Sequence, residues 1–135
     1  MPKSDKKILV VEDDPDTQFV TSFVLRTAGY SVVSVSNRDA ALETMKTSRP
    51  DVIVMDYRMD GMPFNEFLVA AIKSAMVTRL ILLSANATEI AKRYSLRYFL
   101  SKPYDVEELE AIISRCLAGG SSAFMPAVIG KISLN

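Results

Sequence analysis

The stretch ILVVEDDP, residues 8 to 15, sends four apolar residues directly into Glu12, Asp13 and Asp14. Adjacent carboxylates repel: two unit charges about 4 Å apart cost on the order of 4 kcal/mol at an effective dielectric near 20. Water or a cation has to offset that. Three more polar residues stand in the same relation to an apolar run. Asp56 closes DVIVMD, Ser84 closes ILLS and Lys102 follows FLS. Clustered carboxylates are hard oxygen ligands, suited to a magnesium ion that keeps some of its waters. A carboxylate beside such an ion can attack phosphorus, while a lysine and a hydroxyl supply charge and a hydrogen bond to phosphoryl oxygens. Phosphoryl transfer asks mostly for positioning and charge neutralisation, and this set provides both. It does so without histidine, which the sequence lacks entirely. That absence removes His-containing triads, imidazole general bases and ordinary zinc sites.

Such residues converge only if each follows a strand of one sheet. The runs 7–11, 31–35, 51–55, 79–83 and 97–100 read as strands, rich in Val, Ile and Leu. Three are nearly all apolar, as parallel strands covered on both faces should be. Helical patterns lie between them. Residues 15–28 place Phe19, Val20, Phe23 and Val24 on one side, with Asp14 suited to the N-cap, Pro15 to the first turn and Gly29 to the stop. Residues 38–48 and 64–76 are the next two helices. The last, about 105–118, opens on a capping-box pattern, Asp105 with Glu108, and repeats Val106, Leu109, Ile112, Ile113 and Cys116 at helical spacing. Strand and helix thus alternate five times. Right-handed crossovers turn that order into an open, doubly wound parallel sheet of five strands, a flavodoxin-like α/β fold. Ligands of such sheets bind outside the carboxyl ends of the strands, where the strand order reverses.

Composition narrows the function classes. The chain has 135 residues, one domain's worth, and its 16 basic and 16 acidic side chains cancel. That balance argues against gripping nucleic acid or an anionic membrane through bulk charge. The apolar runs are far shorter than a membrane span, and MPKSDKK leads directly into a strand without a signal peptide. Cys116 is the only cysteine, so disulfide stapling and Cys-based metal sites are excluded, and it reads as a small buried hydrophobe.

With the residues in that order, the chain resembles the receiver domain of bacterial two-component response regulators from residue 6 to about 118. VVEDDP, DVIVMDYRM, LLSA and LSKPYD match that family's blocks in register. The resemblance implies that Asp56 is the phosphoacceptor, taking a phosphoryl group from phosphohistidine on a histidine kinase or a histidine phosphotransfer protein. It implies Mg2+ held by Asp13, by Glu12 directly or through water, by Asp56 and by the backbone carbonyl of Arg58. Lys102 would pair with the phosphoaspartate and Ser84 would hydrogen-bond it. Ser84 and Phe99 would be the switch pair that alters the surface of the fourth and fifth strands and last helix. Arg58 and Asn86 stand where such domains tune phosphoaspartate hydrolysis. The bond before Pro103 would be cis, aiming Lys102 inward. The implied protein is a cytoplasmic switch and not a turnover enzyme, contacting neither nucleic acid nor membrane and read by a downstream protein of unknown identity. The alternative is a pseudo-receiver that docks without phosphorylation.

Three departures from the family pattern bear on this reading. After DYRM the family usually has proline and then GMDG, whereas this chain reads DGMPFNEF. Asp60 takes the proline's place and Phe64 the usual glycine's, and Pro63 is placed to open the third helix. The stretch from Ser84 to Lys102 is about one helical turn shorter than usual. A short or loose fourth helix near 88–94 is therefore expected, and a monomer or weak dimer in place of the usual dimer. Finally, AGGSS after Leu117 has linker composition. The expected division is a receiver over 1–118 and a linker or tail over 119–135, with no output domain.

Overall fold

The structure, a computed structural model, describes residues 3–73 and 79–119. Five parallel strands form one sheet: β1 (Lys7–Val11), β2 (Ser31–Val35), β3 (Val52–Asp56), β4 (Arg79–Ser84) and β5 (Tyr98–Ser101). Their order is β2-β1-β3-β4-β5. Helices α1 (Pro15–Thr27), α2 (Arg38–Ser48), α3 (Phe64–Lys73), α4 (Ala87–Tyr94) and α5 (Val106–Ala118) connect them or close the chain. The expected end of α3 at 76 and the tail over 120–135 lie outside the described residues.

Alternate residues of each strand face opposite layers. On one side Ile8, Val10, Val52, Val54, Ile81 and Leu83 meet Leu25 of α1 and Leu109, Ile112, Ile113 and Cys116 of α5. On the other, Leu9, Val11, Ile53, Met55, Leu80 and Leu82 meet α2, α3 and α4. Cover on both faces is why β1, β3 and β4 read as unbroken apolar runs. Cys116 is fully buried, and that burial raises its thiol pKa to about 12.

Helix ends follow the expected chemistry. Asp14 accepts from Thr17 N–H at 2.9 Å and Asn37 from Ala40 N–H at 2.8 Å. Asp105 and Glu108 complete a capping box, and a side-chain cap of this kind contributes about 1 kcal/mol. Pro63 precedes α3 and its carbonyl accepts from Phe67 N–H, so it stands at the cap. α4 is short, with eight residues, and closes on Ser95 in the left-handed region.

One helix turns away from its apolar stripe. Phe19 of α1 is 70% exposed and Phe23 59%, their rings stacked 6.2 Å apart. The buried residues are Thr21, Ser22 and Leu25. Together with Gln18 these form the neighbouring i, i+3, i+4, i+7 stripe. Gln18 Nε2 donates to the carbonyls of Glu12 at 2.7 Å and Val35 at 3.0 Å. That anchorage, with Leu25 in the core, fixes the rotation of α1 and leaves Phe19, Val20 and Phe23 outside.

Candidate functional site

The chain steps from β1 outward to β2, then returns across β1 to β3, so the crevice of the sheet opens at the carboxyl ends of β1 and β3. Register sets what meets there. Val11 lies opposite Met55 and Asp56 opposite Leu83, which brings Glu12 and Asp13 level with Asp56. Ser84 lies opposite Ser101, and Lys102 N–H donates to Ser84 carbonyl at 3.0 Å, which seats Lys102 at the same rim. The Lys102–Pro103 peptide is cis, as expected.

Glu12, Asp13 and Asp56 each bring a carboxylate oxygen within 4.8 Å of the others. Lys102 Nζ reaches Asp56 Oδ1 at 2.9 Å. Three carboxylates against one ammonium at the cleft mouth leave an excess of negative charge that a bound cation would offset. Hard carboxylate oxygens at this spacing fit magnesium. Burial pushes the Glu12 carboxyl above its ordinary pKa; the Asp14 N–H opposes that, and the Asp56 charge adds to it. Burial alone would lower the Lys102 pKa, but its hydrogen bond to Asp56 and the charges of Asp56 and Glu12 outweigh that and raise it. Asp14 stays out of the cluster as the α1 cap, and Thr17 holds its pKa down.

Asp13, Asp56, Arg58, Ser84, Asn86 and Lys102 all line one open cleft of about 840 Å3 between the loop after β3 and the start of α4. Ser84 Oγ accepts from Asn86 N–H at 3.1 Å. Asp60 and Pro63 line the same cleft, so the altered loop lies beside the acids. Phe99 is half-buried against the α2–α4 layer and is not among the cleft residues.

The chain matches the family described as "Response regulator receiver domain" over residues 8–114. It belongs to that family. This receiver domain is 26% identical to the alkaline phosphatase synthesis transcriptional regulatory protein PhoP of Bacillus subtilis, over 84% of this chain and 49% of the relative. It therefore spans about half the length of that protein. Among solved structures it is similar to the chemotaxis response regulator CheY4 of Vibrio cholerae, with 27% identity and a TM-score of 0.76, covering 83% of this chain and 98% of that one. It is also similar to the receiver domain of sensor histidine kinase PA1611 from Pseudomonas aeruginosa, with 28% identity and a TM-score of 0.75. That match covers 84% of this chain and 98% of the other, whose active site cleft coordinates a magnesium ion. Receiver domains are signalling modules. No helix among the described residues is long and apolar enough to cross a membrane.

Sequence reasoning missed the buried cation of this cleft. Arg38 opens α2 and is 2% exposed. Its guanidinium donates to the carbonyls of Asp56 at 3.2 Å, Tyr57 at 2.7 Å and Met62 at 2.9 Å, and to Met55 Sδ at 3.4 Å. An arginine in a first helical turn reads as a solvated charge, and no motif marks it.

Proposed function

We propose that this receiver domain is the phosphoacceptor of a two-component phosphorelay. Asp56 takes a phosphoryl group from phosphohistidine on a histidine kinase or a histidine phosphotransfer protein. The carrying observation is the Asp56 carboxylate, level with Glu12 and Asp13 and paired to Lys102 at 2.9 Å on an open cleft. An Asp56 oxygen bonds to phosphorus as the P–N bond breaks, and the imidazole leaves with that electron pair. Lys102 stays with the negative charge as it spreads over the phosphoryl oxygens, and Ser84 turns its hydroxyl to one of them. Asp13, Asp56, the Arg58 carbonyl and Glu12, directly or through water, would hold Mg2+, whose charge would offset that of the acids and the phosphoryl oxygens. The PA1611 receiver supports that choice of metal. Movement of Ser84 and Phe99 then changes the surface of β4, β5 and α5, which another protein reads in the cytoplasm.

Intact mass after incubation with magnesium and acetyl phosphate tests this reading. The parent gains one phosphoryl group, the gain needs magnesium, and Asp56→Asn gains none. A parent that gains nothing and binds no magnesium is a phosphorylation-independent docking module instead.

A further inference from the structure

The buried charge of Arg38 has no carboxylate within ion-pair distance among the described residues. Burying a cation without such a partner costs several kcal/mol even after relaxation, so its four hydrogen bonds and the field of nearby acids must offset that. Its ring neighbour is Phe64, 5.4 Å from guanidinium carbon to centroid. The three carbonyls it holds lie at both ends of the loop after β3: Asp56 and Tyr57 where it begins, Met62 where it ends. The Asp56–Tyr57 peptide is fixed on both edges, since Tyr57 N–H also donates to Leu83 carbonyl at 2.9 Å. A trans peptide carries its C=O and N–H on opposite edges. Drawing the Tyr57 carbonyl onto Arg38 therefore turns the Arg58 N–H away from it. That N–H has no acceptor among the described residues, and Arg58 lines the cleft with Asp56.

Resting on the phosphoacceptor reading, we propose that Arg38 is a positioning residue for phosphoryl transfer to Asp56. It clamps the loop from Asp56 to Met62 so that the carboxylate of Asp56 and the N–H and C=O of Arg58 keep their places. It also sets a buried positive charge beside a side chain that becomes more negative on phosphorylation. Lys102 meets the reacting carboxylate, whereas Arg38 holds the backbone that carries it.

The test compares the parent with Arg38→Met, similar in length and neutral, and Arg38→Lys, which keeps a charge but cannot reach all three carbonyls. Phosphorylation by acetyl phosphate with magnesium is followed by intact mass at several donor concentrations, with circular dichroism reporting the folded fraction. Folded Arg38→Met should lose about tenfold in maximal rate, the low end for an outer-shell partner, with the half-saturating donor concentration unchanged. Arg38→Lys should recover part of the loss. Folded Arg38→Met working at the parental rate overturns the proposal, as does a deficit that only tracks the unfolded fraction. Should Arg38→Met fail to fold, Arg38→Lys decides: a reduced maximal rate supports the clamp, and the parental rate overturns it. A parent that takes no phosphoryl group overturns the phosphoacceptor reading and this inference together, whereas a phosphorylated parent with indifferent Arg38 variants overturns this inference alone.

Discussion

Two cations flank Asp56, and they do different work. Lys102 sits at the mouth of the cleft, a third exposed, and spends its charge on the carboxylate itself. Arg38 is sealed under the loop, touches no carboxylate, and spends its donors on backbone carbonyls. The side chains match the tasks. A lysine ammonium is a compact point charge that can stay with a group whose charge grows, whereas the planar fork of arginine can hold several fixed acceptors at once. One cation faces the Asp56 carboxylate and the other faces the backbone that carries it. Altering the first should change chemistry with little effect on the loop, and altering the second should change both.

The sharpest break in that comparison is Lys102→Ala. It should slow phosphorylation by acetyl phosphate by about 10²-fold, the scale for removing one charge-stabilising donor. A rate within a factor of two of the parent would mean that Lys102 is only a surface partner of Asp56. Next in size is Asp13→Ala, which removes an acid facing neither cation directly. It should weaken magnesium binding, read by calorimetry, by more than about tenfold, the lower bound for losing even an outer-shell partner. Arg58→Ala should act more weakly, raising the rate of phosphoaspartate hydrolysis by about threefold, if the long cation that lines the cleft would lie over the phosphoryl group and obstruct water. An unchanged lifetime would remove Arg58 from the site's tuning.

The smallest expected effect concerns pH. Lys102 has a folded pKa raised above its ordinary 10.5. Its pair with Asp56 therefore contributes stability that is fully present below that ordinary value and lost as pH rises through the folded one. Denaturant melts of the parent and Lys102→Met across that window should converge at the alkaline end. The difference below it should be under about 1 kcal/mol, because the lysine end of the pair is a third exposed and screened by solvent. A gap that persists at high pH would mean the lysine stabilises by packing alone.

Most of the sheet was legible because parallel strands covered on both faces leave apolar runs, and each run stops where its polar residue begins. Glu12, Asp13, Asp56, Ser84 and Lys102 were found for that reason: position after a strand is written in the sequence. What α1 buries was not. Phe19, Val20, Phe23 and Val24 made the more hydrophobic stripe, yet the helix rests on Gln18, Thr21, Ser22 and Leu25. Local hydrophobicity cannot register an amide that satisfies two carbonyls from other segments. Arg38 was hidden for the same reason. Its partners lie 17 to 24 residues away, so its role exists only after β3 and α2 have been brought together. Polar anchorage across distant segments escapes a reading based on periodicity, whereas caps such as Asp105 with Glu108 do not, because both members sit within one turn.

The central claim is that Asp56 is the residue that accepts phosphorus. Borohydride reduces an acyl phosphate on aspartate to homoserine, so trapping the acetyl phosphate-treated protein and sequencing its peptides by mass spectrometry reads the position directly. Homoserine at residue 56, formed only with magnesium, is the predicted result. Homoserine at Asp13 or Asp60 instead, or at no residue of a protein that gained phosphoryl mass, would contradict it.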